Sequence, residues 1–307
     1  MSWTATAPRI VVVGHGLLGE PLGNALRIMG ATVVTVAHRS ADNGVDLAAD
    51  LTTGPGRRAL AALLAEQQPT CVVLVHGPGD VTWIEGNEKV ARDAHVGTAR
   101  AVSSHQVLLV STDNVFDGTA PPPADTDPVS PGNAYGRVKL AAERAVLAGP
   151  APATIVRLSM VYGWSAPGRR ATYGHRCIQA ARAGQSIVAP IDQHFTPLHV
   201  DDAIRALVRL AFGFPGDRIF HFAGPVELSR HEFARLAYAA AGADPELVVP
   251  VPLMQTEWAC RPRRSRLRNS DPAVLAPWLD WRPMEPLEGL KRMVHAAPPA
   301  RPPAVPS

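Results

Sequence analysis

Tyr135 and Lys139 stand four residues apart in Tyr135-Gly136-Arg137-Val138-Lys139. On a helix that spacing puts both side chains on one face. An ammonium beside a phenol favours the phenolate, which lowers the tyrosine pKa toward the working pH and makes it a usable proton donor. Upstream, Thr112 stands in Ser111-Thr112-Asp113-Asn114-Val115-Phe116-Asp117-Gly118. That stretch begins where an apolar run ends, so the Thr112 hydroxyl sits at a strand end, where open α/β sheets bind ligands. Thr112, Tyr135 and Lys139 form the candidate catalytic group.

A third feature is Gly14-His15-Gly16-Leu17-Leu18-Gly19, with GxGxxG spacing directly after an apolar run. The first glycine permits a tight turn and the second close backbone approach to a pyrophosphate. The third permits helix–strand packing, and the helix N-terminus attracts the anion. Gly14, Gly16, Leu17, Leu18 and Gly19 are therefore candidate cofactor contacts. Where an NAD site places Asp or Glu, after the second strand, this chain has His38-Arg39-Ser40. Arg39 would pair with a 2′-phosphate, which favours NADP over NAD; a solvated surface arginine is the plainer reading. Asp50 suits either the adenine amino group or a helix cap. His76, Gly77 and Leu158, with Tyr135 and Lys139, complete the candidate cofactor contacts.

Alternating elements must carry these groups. Strands are expected at 9–13, 32–36, 71–75, 106–110 and 154–158, with helices at 20–29, 58–67, 88–103 and 135–147. Apolar strands alternating with helices give a parallel sheet covered on both faces. The expected architecture is a Rossmann-type, doubly wound α/β sheet with a smaller C-terminal substrate lobe. The nucleotide domain is expected over 1–162 with 197–223 returning to it. The lobe is expected over 163–196 and 224–295, and a Pro- and Ala-rich disordered tail over 296–307. Ser229 and Glu232 have capping-box spacing ahead of a helix at 229–241.

Composition narrows the function classes. Of 307 residues, 46% are hydrophobic and 19% charged, as in a globular protein. A net charge of +3 argues for neither nucleic acid nor membrane as partner. Three scattered cysteines and eleven scattered histidines give no disulfide framework and no metal spacing. The N-terminus reaches a strand at once, without signal-peptide organisation, and a cytoplasmic location is expected.

These motifs together resemble the extended short-chain dehydrogenase/reductases, in particular the dTDP-4-dehydrorhamnose reductase branch of nucleotide-sugar 4-ketoreductases. Residues 111–118 resemble that branch's STDYVFDG signature, and Pro131 to Lys139 its P-x-x-x-Y-G-x-x-K block. Arg157 to Gly163, Phe195 to Asp202 and Arg261 to Leu267 are similar to later blocks in the same order. The resemblance implies that Thr112 orients a carbonyl oxygen, Tyr135 protonates it, and Lys139 binds the nicotinamide ribose. It also implies a nucleotide-linked sugar as substrate and makes a homodimer an expectation. Asp113, Asn114, Gln193, His194, Arg261 and Arg264 are the candidate substrate contacts, the last two from an arginine-rich stretch suited to a pyrophosphate.

Three positions depart from the family pattern. Val13 replaces a glycine, Asn114 an aromatic residue, and Ala94 the helix asparagine that organises a proton-relay water in many relatives. His95 beside it reads as a satisfied surface histidine. Two other readings stand beside the reductase. A non-catalytic cofactor-binding subunit is disfavoured by the intact Thr112, Tyr135 and Lys139. An epimerase or dehydratase is disfavoured by Asn114, where a dehydratase carries an acid.

Overall fold

Runs of Val, Ile and Leu become the strands of one sheet, and the Ala-rich stretches between them become its covering helices. The computed structural model describes residues 7–38, 45–277 and 281–296. The chain begins with β1 (Arg9–Val13), α1 (Gly19–Ile28), β2 (Thr32–Ala37), β3 (Leu47–Ala48), α2 (Gly54–Gln67) and β4 (Cys71–Leu74). There follow α3 (Val81–Gly86), α4 (Glu88–Val102), β5 (Val107–Thr112), α5 (Ala134–Leu147) and β6 (Ala153–Leu158). Next come β7 (Val161–Tyr162), α6 (Tyr173–Arg182), β8 (Ile187–Pro190), β9 (His194–Phe195), β10 (Leu198–His199) and α7 (Val200–Phe212). The chain continues with β11 (Arg218–Phe222), β12 (Leu228–Ser229), α8 (Arg230–Ala240), β13 (Val248–Val251) and β14 (Arg264–Ser265), then α9 (Pro272–Leu275) and α10 (Pro286–His295).

Among the described residues, seven strands form the main sheet in the order β11-β6-β5-β4-β1-β2-β3, each pair parallel. Strand order reverses between β1 and β4, and the crevice outside their carboxyl ends is where such sheets take ligands. The glycine turn follows β1, and His76 and Gly77 follow β4. The two-residue period of a strand divides the core. Ile10 and Val12 pack with Leu22 and Leu26 of α1 and with α7, while Val11 and Val13 pack with α2, α4 and α5. A separate core joins α6, α8 and α10, with Phe233, Tyr238 and Leu290 fully enclosed.

β5 runs two residues beyond the expected strand, so Thr112 is its last residue. α2 starts four residues before the expected helix because Thr53 caps it, accepting from Gly56 N at 3.1 Å, with a proline in its first turn. Arg39 and the tail from 297 onward lie outside the described residues. No helix among the described residues is long and apolar enough to cross a membrane.

Candidate active site

Asn133 starts α5: its Oδ1 accepts from the Gly136 amide at 2.8 Å. Its Nδ2 donates to Asn114 Oδ1 at 2.8 Å, which ties the helix to the turn after β5. Gly136 permits that docking, since a Cβ there would stand 1.9 Å from the Asn114 carbonyl oxygen.

Thr112 Oγ1 donates to Asp113 Oδ1 at 3.1 Å and accepts from the Asn114 amide and its Nδ2, each at 3.2 Å. Asn114 Nδ2 also donates to Asp113 Oδ1 at 2.6 Å, and Ser159 Oγ to Asp113 Oδ2 at 3.0 Å. Burial lifts the Asp113 carboxyl to about 6 against those hydrogen bonds. Burial and the neighbouring Asp113 push the Tyr135 phenol up to about 12, while the Thr112 hydroxyl pulls the other way. The expected lowering of the phenol by Lys139 is therefore not what the structure shows. Lys139 is itself buried, and its Nζ donates to Val110 O at 2.7 Å. Burial brings its ammonium down to about 8, with Glu143 opposing.

Glu143 lies one turn beyond Lys139 and makes a paired, buried contact with Arg157, at 3.0 and 2.8 Å. Ser111 also donates to that carboxylate. α5 is thus fixed to β5 and β6 at the point where its catalytic candidates emerge.

Two cavities meet along this edge. One, of about 420 Å³, is lined by Leu17, Leu18, Thr112, Asp113, Asn114 and Tyr135, and further by Leu158, Gln193 and Arg261. The other, of about 370 Å³, is lined by Gly14, His38, Asp50 and His76. Gly16, Val75 and Gly77 line both, so the two are contiguous. Asp50 Oδ1 accepts from Thr52 N at 3.0 Å and Thr52 Oγ1 at 2.6 Å. The cap of α2 falls to Thr53 instead.

The second cavity and the glycine turn fit a dinucleotide. Gly14 has φ +117°, and a Cβ there would meet the His76 backbone at 2.8 Å. A Cβ on Gly16 would point into open space. α1 begins without any side-chain cap, so its positive end faces the glycine turn, although Glu20 N donates to Gly16 O at 3.4 Å and Pro21 carries no N–H. His15 Nδ1 is buried without a partner beside it.

Residues 8–294 match the family model described as RmlD substrate binding domain. The chain belongs to that family. A dTDP-4-dehydrorhamnose reductase of Mycolicibacterium smegmatis is 30% identical over 291 residues, 90% of this chain and 83% of that protein. One from Mycobacterium tuberculosis is 36% identical over 183 residues, 56% of this chain and 59% of that protein, so that alignment spans less than two thirds of the relative. The structure of a dTDP-4-dehydrorhamnose reductase from Bacillus anthracis, in complex with NADP, superposes with TM-score 0.81 at 22% identity, covering 94% of this chain and 99% of that one.

Several expectations for this RmlD-family chain are corrected. His194 does not line the cleft: it alternates with Gln193 and Phe195, which do, because successive strand residues face opposite sides. Arg264 is exposed on β14 and absent from the cleft. The arginine-rich stretch does not act as one patch. Arg263 pairs with Asp192 at 3.0 Å and Arg266 with Glu227 at 2.6 Å, while Arg261 alone of the two proposed arginines enters the cleft. His95 is not a surface histidine; it is 3% exposed. Its Nε2 lies 3.0 Å from Pro78 O, and His76 Nε2 lies 3.1 Å from Ala94 O. A carbonyl only accepts, so each Nε2 carries the proton of the neutral ring. Burial lowers both imidazoles, His76 to about 4.

Arg230 escaped the sequence reading. It opens α8 at 5% exposure, with its guanidinium 4.6 Å from the Tyr173 and Trp258 rings and its Nε donating to Gln193. Nothing in the chain separates an arginine in a first helical turn from an ordinary surface one.

Proposed function

We propose that this chain is an NADPH-dependent reductase of the short-chain dehydrogenase/reductase type, acting on the 4-keto group of a nucleotide-linked deoxysugar. The observation that carries the reading is one continuous cleft bordered by the glycine turn, by Thr112 and Tyr135, and by two cations, the buried Arg230 and the half-buried Arg261. Family membership and the names of its relatives support the sugar nucleotide as substrate. His38, where an acid would repel a 2′-phosphate, supports NADPH over NADH.

The nicotinamide cofactor supplies hydride when bound. Thr112 holds the substrate carbonyl oxygen, and Tyr135, protonated at neutral pH, delivers the proton that converts it to a hydroxyl. Lys139 would hold the nicotinamide ribose through its ammonium. Leu17, Leu18 and Leu158 would wall the nicotinamide end and Asp50 would serve the adenosine end. Arg261 and Arg230 balance the substrate diphosphate, with Gln193 orienting Arg230. Residues 1–162 and 197–223 form the nucleotide lobe, and 163–196 and 224–295 the substrate lobe. The homodimer expected by resemblance is separable from a 32.6 kDa monomer by sedimentation velocity.

The test uses a dTDP-linked 4-keto-6-deoxysugar with NADPH deuterated at its transferable position. Deuterium at C4 of the product, beside a new hydroxyl, is the expected result. Cofactor binding without label transfer to any such sugar would remove the enzyme reading.

A further inference from the structure

Every described residue lining the 370 Å³ dinucleotide pocket lies within the first 94 positions, with one exception. The exception is Arg169, from the segment between β7 and α6, which belongs to the other part of the chain. Gly168, at φ +75°, takes the left-handed conformation just before it, and the Arg169 amide donates to Ala166 O at 3.1 Å. The segment ends at Thr172, whose hydroxyl donates to Gly163 O at 2.6 Å and whose amide donates to Ser165 Oγ at 3.1 Å.

The next residue points elsewhere. Arg170 Nε stands 3.4 Å from Asp80 Oδ2 and lines the compartment shared by Arg176, Arg230, Trp258 and Arg261. Two adjacent arginines thus face two ligand compartments. Among the described residues, Asp50 and the histidines 15, 38 and 76 line the dinucleotide pocket together with Arg169. A dinucleotide brings at least two phosphate charges into that space, and a guanidinium is the side chain that pairs best with phosphate.

We infer that Arg169 binds a phosphate group of the dinucleotide, so that the bound cofactor holds the 163–172 segment against the substrate compartment. The inference rests on the dinucleotide reading above. It also makes the two ligands cooperative. An affinity gained by the nucleotide ligand on cofactor binding must be returned in equal measure to the cofactor.

Isothermal titration of the full chain with NADPH and NADH, with and without dTDP, tests this. Arg169→Ala should weaken NADPH binding about 10- to 100-fold, the size of a lost charged hydrogen bond. Arg169→Lys should recover part of the loss, and Arg170→Ala should leave dinucleotide affinity alone. A loss for NADPH only assigns the contact to the 2′-phosphate; an equal loss for NADH assigns it to the pyrophosphate. In the wild type, NADP⁺ should tighten dTDP binding, and Arg169→Ala should abolish that gain. Wild-type affinity for both dinucleotides in Arg169→Ala would overturn the inference while leaving the cofactor reading intact. No dinucleotide binding by the wild type would overturn both.

Discussion

The chemistry turns on how burial and charge set the protons of Tyr135 and Lys139. Tyr135 is held as a neutral phenol by desolvation and by Asp113, which suits a group that must give a proton rather than take one. Lys139 is the group whose charge changes within a working pH range, because burial brings it to about 8. Its ammonium is present below that value and lost above it. Dinucleotide affinity should therefore fall as pH rises through about 8, and Lys139→Arg should flatten the profile. Fluorescence titration of NADPH across that range measures it; a profile identical in the two proteins would disprove the role. Sequence spacing correctly joined Tyr135 and Lys139 on one helix face. It gave the wrong direction for the phenol, because desolvation and the Asp113 charge depend on what surrounds the pair.

At the level of elements, the site depends on how closely α5 approaches the end of β5. Gly136→Ala would drive a Cβ into the Asn114 carbonyl oxygen, where backbone rather than a flexible side chain must move. The expected cost is about 1–3 kcal/mol of stability with a large fall in kcat. Gly86→Ala, whose Cβ meets nothing, is the neutral control. Thermal melts and initial rates on both variants check this, and equal behaviour would show that the docking is looser than described. The long apolar strands and α5 were legible because hydrophobic period and length speak directly for them. The two-residue strands β9, β12 and β14 were not, since so few residues carry no period. Those short pairings decide which arginines face the cleft. That is why Arg261 was found, Arg264 was misplaced and Arg230 was missed.

Over the whole molecule, buried neutral histidines set the response to acid. His76, His95 and His221 all have imidazoles held below the ordinary value near 6.5 by burial. The unfolded chain takes up protons there first, so the stability they carry is present above about 6.5 and lost as pH falls toward about 4. Asp113 acts the other way: its raised carboxyl regains stability as pH falls through about 6. With His175 and His199, which burial also lowers, five such rings among the described residues oppose one raised carboxyl, so the melting temperature should drop between about pH 7 and pH 5. A melting temperature that holds or rises over that interval would contradict the burial of these rings.

On the proposed function, one cleft reduces a sugar ketone with Tyr135 as proton donor. The most direct measurement mixes NADPH-loaded protein with a dTDP-linked 4-keto-6-deoxysugar and follows cofactor absorbance for the wild type and Tyr135→Phe. The wild type should consume one NADPH per ketone. Tyr135→Phe should react about 10²- to 10⁴-fold more slowly with its NADPH affinity unchanged. An undiminished rate in Tyr135→Phe, or no consumption by a wild type that binds NADPH, would contradict the account.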